Sequence, residues 1–475
     1  MCKCTFIIRK EMCVRKMINR KLSLILLLFS FFIMMGSVSA AENTTNNATA
    51  IEYNSVDVDC IDQKNAVEIN DLQTANNNLS DVDNSGLACN HANNTGGNYS
   101  QGCVNASTFF NYFDENGVLR NNITCDSLVF EGNFNLNVST ININHKIDVI
   151  GKNATLNGVG FKITANDVSI ANMNILINNT DIDAAIDVVG NNIKLFNNTL
   201  CVVNSGFGVL ACGANSLNVS RNEILFYNNK SSLNGPISLK DSEGVDINGN
   251  YIVSVMGSGS AVDCDGVVNA DISNNRVYVK YNNDSSSLFA LNINGGSNTI
   301  VKNNTLLVTG CNNSCAVNID GGDITVDSNI VTSTADNGSA YGMQFNNVAG
   351  VLENNSLVVG ASSFASGVIA SYSNLTVSRN NFTVCGNDSS KTTGVKLVLG
   401  KVTIDGCVIK TTSNNATNGG VITYGSNTFV LGYLPGLDIE VPVVVKGYGS
   451  DDKLQATLSN NGKPLAGLPL LDKVA

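Results

Sequence analysis

Residues 261–308 read AVDCDGVVNADISNNRVYVKYNNDSSSLFALNINGGSNTIVKNNTLLV, two copies of one unit. AVDCDG (261–266) answers ALNING (290–295), and NADISNNRV (269–277) answers NTIVKNNTL (298–306). In the first kind of segment, apolar and polar residues alternate: Val262 with Cys264, then Leu291 with Ile293. Period two marks a strand with one buried face. The second kind reads apolar, polar, apolar, two turn residues, then a new apolar pair.

Outward from this stretch the second kind recurs as NIKLFNNTL (192–200), SLNVSRNEI (216–224), GVDINGNYI (244–252), DITVDSNIV (323–331), GVLENNSL (350–357), NLTVSRNNF (374–382) and KVTIDGCVI (401–409). SIANMNI (169–175) adds one step before them. Aligned on the residue after the turn, Asn198, Asn222, Asn250, Asn275, Asn304, Asn329, Asn355, Asn380 and finally Cys407 fall in one file. The steps run from 24 to 29 residues and average about 26, inside the window of solenoid repeats. The first kind recurs between them, from AIDVVG (185–190) to GMQFNN (342–347) and GVITYG (420–425).

Two short strands in about 26 residues leave no room for a helix of ordinary length. The Asn, Gly and Asp between them tolerate the positive φ of tight turns. A strand cannot bury its apolar face alone, but stacked repeats bury a continuous core. The predicted fold class is therefore all-β: a right-handed parallel β-helix with three short sheets, about 26 residues per rung. About ten clear rungs at roughly 4.8 Å each make a rod of about 50 Å. The aligned Asn file predicts an internal ladder of amides bonded along the axis. Sandwich modules repeat near 100 residues and propeller blades near 40–50, so neither matches the step.

The ends differ from the middle. Met17–Lys21 is basic, Leu22–Met35 is apolar but for two serines, and Val38 and Ala40 are small residues at −3 and −1 of a cleavage point. Residues 1–40 are thus expected to be a secretory signal, with Met17, or else Met12 or Met1, as the start. Residues 41–105, rich in Asn, Ser, Asp and Thr, are expected to be a flexible lead-in. The β-helix is placed at 106–430. Residues 431–475 are expected to be a linker and a partial β-sandwich segment with a hairpin turn at Asn461-Gly462.

Composition narrows the partners. The chain carries a formal charge of −11 with two His and 14 Cys. Without residues 1–40 the charge falls to about −17, which would repel nucleic acid. Two His argue against a histidine-bound metal centre. No stretch after residue 40 approaches the roughly 18 apolar residues of a membrane helix. Eleven Cys remain after cleavage, scattered and without a CxxC pair; Cys201, Cys264 and Cys407 are read as small core residues, and Cys311 and Cys315 are candidates for a small loop. About 22 Asn-x-Ser/Thr sites, including Asn43, Asn98, Asn197, Asn303 and Asn381, agree with export.

The rung pattern, the entry segment FDENG…LVFEGNFN, KNATLNGVGFKITANDVSIANM (152–173) and the tail KLQATLSNNGKPLAG together resemble archaeal adhesin-like surface proteins. The resemblance covers about residues 107–468. It implies a secreted, Asn-rich β-helix of the pectate-lyase-like superfold, followed by bacterial Ig-like modules. Such a module takes roughly 90–100 residues. Only about 40 follow the repeats, so a truncated module is expected.

β-Helices host lyases, hydrolases and inert spikes, so function has to come from sites. Asn179-Thr180-Asp181 matches a pectin-hydrolase motif in letters, but no second aspartate pair follows it. His91 and His145 both lie outside the clear rungs. Arg221 and Arg379 stand at strand ends with no acidic group repeated beside them. No catalytic residue is expected, and the chain is read as not an enzyme; a polysaccharide lyase or hydrolase, or a purely structural envelope protein, is the alternative. The best constellation is the outward side of the first strand series: Asp263 and Asp265, Asn292 and Asn294, Asn318 and Asp320, Gln344 and Asn346. In register these make a polar stripe four rungs long. Its oxygens would suit sugar hydroxyls, or Ca²⁺ where any ion is bound; no cofactor is otherwise expected. The expected role is a monomeric, secreted or cell-surface rod that binds glycans or proteins of other cells.

Overall fold

The computed structural model describes residues 100–431, apart from 179–181, 229–233, 282–286, 311, 388–390 and 414–420, together with 459–460 and 463–464. The expected signal, most of the lead-in and most of the C-terminal segment lie outside the described residues, as do Asn179-Thr180-Asp181, His91 and Cys311. Ser459–Asn460 and Lys463–Pro464 pair antiparallel on either side of Asn461-Gly462.

The fold is an all-β parallel solenoid of about 12 turns. Each turn visits three sheets, A, B and C. Sheet A holds the first strand series, for example Gly259–Asp265 and Ser287–Asn294. Sheet B holds Asp271–Ser273 and Thr299–Lys302. Sheet C holds Arg276–Tyr281 and Thr305–Thr309. Each strand pairs in parallel with its equivalent one turn away: Val262 with Leu291, Ile272 with Val301, Val277 with Leu306. Farther along, sheets A and B are joined without a break, as in Asn313–Asp327 and Ser339–Glu353.

All three sheets turn their apolar side inward. Val262, Ile272, Val277 and Leu291 are each 1% exposed or less, and the same cluster extends from Val104 to Cys407. Burying one such side chain is worth about 1.5–3 kcal/mol. At one end Phe109, Phe113, Phe130, Phe134 and Phe161 fill the core, with the Phe109 and Phe113 rings stacked at 4.5 Å. Gln101–Val104, assigned to the lead-in on composition, is a strand paired with Ser127–Phe130. The solenoid thus begins before residue 106.

The corner between sheets B and C explains the Asn file. One residue there takes positive φ: Asn197 (55°), Arg221 (54°), Gly249 (66°), Asn274 (58°), Asn303 (54°), Ser328 (57°), Asn354 (56°) and Arg379 (54°). The residue after it points inward and is the aligned Asn. All eight, Asn198 to Asn380, are at most 2% exposed. A buried amide is costly unless its bonding groups are used. Asn250 uses four: Nδ2 donates to Asn275 Oδ1 and Val219 O, while Oδ1 accepts from the backbone N–H and Nδ2 of Asn222. The ladder starts with Met173 N–H donating to Asn198 Oδ1 and ends with Asn380 N–H donating to Cys407 Sγ at 3.4 Å.

The same conformational demand accounts for surface Asn. Among the described residues, 11 of the 19 non-glycine residues at positive φ are Asn. Several of their side chains bond between turns, as Asn298 Nδ2 donates to Asn269 Oδ1 and Asn197 Nδ2 to Asn172 Oδ1.

Candidate functional site

Sheet A places the eight outward residues in two adjacent columns. Asp263 registers with Asn292, Asn292 with Asn318 and Asn318 with Gln344. Asp265 registers in the same way with Asn294, Asp320 and Asn346. All eight are half-buried, each with another polar residue of its column on a neighbouring turn.

The columns are bonded lengthwise. Asn292 Nδ2 donates to Asp263 Oδ1 at 2.7 Å, and Asn318 Nδ2 donates to Asn292 Oδ1 at 2.8 Å. In the second column Asn346 Nδ2 donates to Asp320 Oδ1 at 2.8 Å. Lys240 approaches Asp265 to 3.7 Å from the preceding turn. These bonds hold Asn292, Asn318 and Asn346 against their neighbours, and the stripe bears a carboxylate at Asp263, Asp265 and Asp320. Composition changes at both ends. On one side Ser238 and Lys240 still continue the two columns, with Leu210 and Cys212 one turn farther; on the other Ile369 follows Gln344. The amides and carboxylates span four turns and the polar columns five.

Three aromatic residues that the strand pattern hides stand on the same sheet, Phe289 and Tyr341 at one register position with the buried Cys315 between them and Phe364 at another. Phe289, Tyr341 and Phe364 lie half-buried on sheet A, with the Tyr341 and Phe364 rings 5.6 Å apart. Lys396 Nζ sits over the Phe364 ring at 5.0 Å. These rings escape simple alternation because two or more successive residues are buried on each strand: Ala290 and Leu291, Ser314 to Val317, Gly342 and Met343. Phe289 and Asn292, three apart, therefore both face outward. The sequence signal was the small residue at this step. A Cβ on Gly342 would lie 2.5 Å from the Gly367 carbonyl oxygen, so at this turn the kink demands Gly.

The electrostatics follow burial. Lys396 has its pKa lowered because burial disfavours the ammonium. Burial raises that of Tyr341. On sheet B, Asp246 is raised, first by burial and then by the charge of Asp271 opposite it. The thiol of Cys264, between Asp263 and Asp265 but pointing inward, is pushed far up by burial and by Asp263. Among the described residues no group of three His, Cys, Asp or Glu side chains is placed to hold a metal ion. Asp263 and Asp320 accept bonds from neighbouring amides, so Ca²⁺ would have to compete with these. His145, apart from the stripe, has Nδ1 2.8 Å from Asn144 Oδ1. Cys315 Sγ donates to Val317 O at 3.2 Å. Arg221 and Arg379 occupy positive-φ corner positions, and Arg379 pairs with Glu353 on its own turn's neighbour.

No protein-family model and no curated protein matches the chain. Among solved structures, that of the Streptococcus pneumoniae surface protein and adhesin PfbA is similar at a TM-score of 0.34 and 11% identity, over 68% of this chain and 92% of that one. A likeness this distant says nothing of what the present chain binds. No helix among the described residues is long and apolar enough to cross a membrane.

Proposed function

We propose that this chain is a secreted, surface-displayed adhesin-like rod that binds glycans along sheet A. The observation that carries the reading is the stripe itself: amides and carboxylates on four successive turns, joined by lengthwise bonds, with aromatic rings on the same sheet. Sugar recognition calls for this combination of fixed donors and acceptors with an apolar surface. The export reading rests on the leader-like residues 1–40 and the many sequons. Binding rather than catalysis is favoured because the stripe sets its carboxylates against amides and an ammonium. A general acid–base pair needs two titrating groups facing one reacting atom.

A glycan array probed with the full secreted chain tests the reading. Binding should appear and should be lost in the triple variant Asn292→Ala, Asn318→Ala, Asp320→Ala, with the fold intact by circular dichroism. Wild-type protein that binds no glycan, or a triple variant that binds as well as wild type, overturns it. New reducing or unsaturated ends released from pectic or uronic polysaccharides would favour an enzyme instead.

A further inference from the structure

At the corner from sheet A to sheet B, each turn puts one residue in the left-handed region. In successive turns this residue is Gly295 (φ 63°), Gly321 (82°), Asn347 (54°), Tyr372 (52°) and Leu399 (58°). Gly and Asn adopt this conformation readily, whereas a bulky side chain is disfavoured there. The turn therefore does not ask for Tyr372. Nor does packing, because Tyr372 is 61% exposed, more than any other large hydrophobic residue among those described. A strained position holding an exposed ring points from the outlier to a use.

Tyr372 lines an open hollow of about 430 Å³ together with Asn347, Asn374 and Lys401. Those three side chains are exposed. Ser373, also in the lining, is committed to the fold: its hydroxyl accepts from Val348 N–H and donates to Ser371 O. Asn347 directly follows Asn346, so the hollow adjoins the end of the second column of the stripe. The charge also changes at this point. The chain as a whole carries −11, yet residues 362–413 hold five Lys and Arg against two Asp. Lys396 and Lys401 both lie on the strand Thr392–Asp405.

We propose that this hollow is a subsite for a carboxylate-bearing sugar. The Tyr372 ring covers the apolar C–H face of the pyranose, the Asn347 and Asn374 amides bond its hydroxyls, and the Lys401 ammonium takes the carboxylate. The inference rests on the glycan-binding reading and narrows it to acidic sugars. Hexuronates of microbial envelopes and sialic acids of host glycans share the required chemistry.

The test uses the full chain with two acidic probes, a hexuronate oligosaccharide and a sialyl oligosaccharide, and with neutral counterparts of each. Variants are Tyr372→Asn, which suits the left-handed position, and Lys401→Glu. At least one acidic probe should bind more tightly than its neutral counterpart, and the stronger one identifies the source. Both variants should weaken that binding at least tenfold without lowering the melting temperature, and added salt should weaken the wild-type contact. Acidic binding unchanged in both variants overturns the proposal, as does a melting temperature lowered by Tyr372→Asn, which would make the ring a packing element. Neutral glycans bound as well as acidic ones also overturn it, while leaving the adhesin reading in place. No binding to any glycan removes both.

Discussion

Asn250 donates both its backbone N–H and its side-chain Nδ2 to one atom, Asn275 Oδ1, each at 2.9 Å. The relationship repeats up and down the file, so each amide both caps a corner of its own turn and ties that turn to the next. A ladder of this kind makes neighbouring turns depend on one another.

Removing a central rung should therefore reach beyond its own site. Asn275→Ala leaves the Asn250 backbone N–H and Nδ2 without their shared acceptor and removes the bonds to Ile247 O and Asn304 Oδ1. Each unsatisfied buried group costs about 1–3 kcal/mol, so a loss of about 3 kcal/mol or more is expected. Because stability in repeat arrays is passed between neighbours, the thermal transition should also broaden or split. Calorimetry of Asn275→Ala beside the exposed control Asn274→Gly, which keeps the left-handed corner accessible, checks this, with the control shifting far less.

The kink that exposes the aromatic rings predicts an asymmetry between glycines. Gly342→Ala forces a Cβ to within 2.5 Å of the Gly367 carbonyl oxygen. Overpacking of this sort costs about 1–3 kcal/mol. Gly213, at φ 70° with open space around its would-be Cβ, should accept Asn with a change of less than about 1 kcal/mol. Denaturant midpoints of the two variants give the comparison.

Asp246 supplies a pH test. Its pKa is raised above the ordinary carboxylate value by burial and by Asp271, so the native state holds that proton more tightly than the unfolded chain does. Such a group contributes stability below the unfolded pKa, and this is lost as pH rises through the folded one. Asp246→Asn should therefore stabilise the protein at pH 7, by less than about 1 kcal/mol for a partly solvated charge pair. The gain should shrink as pH falls toward the unfolded carboxylate value. Melting temperatures of both proteins from pH 3 to 7 measure it, and an Asn variant less stable at pH 7 would contradict it.

Cys264 should be chemically silent in the folded protein. It is 1% exposed and its thiol is pushed far above the usual value of 9.0, so little thiolate forms at pH 8. Among the described cysteines, a maleimide reagent should label the exposed Cys212 before Cys264, which it reaches only on unfolding. Mass mapping of the labelled sites reports the order.

The repeat was legible because it is a one-dimensional property. A 26-residue step and period-two alternation force stacked strands, and a polar residue kept in register at an inward corner must be bonded there. Asn198 to Asn380 could be aligned on these grounds. The outward stripe could be named for the same reason, since alternation assigns a side to Asp263 and Asn292 without coordinates. The placement of the aromatic rings was not legible: the double-buried step at Ala290-Leu291 or Gly342-Met343 breaks the period, and the letters give no sign that Phe289 then stands beside Asn292.

The sequence alone determined that turns stack, where they bend and which residues enter the core, because turn chemistry and hydrophobic alternation act along the chain. Only the tertiary structure decided which surface groups meet. Asn292 bonds to Asp263 although 29 positions separate them, and Tyr372, Asn347 and Lys401 share one hollow. Such meetings depend on parallel registry between turns of unequal length, which keeps the paired strands in step.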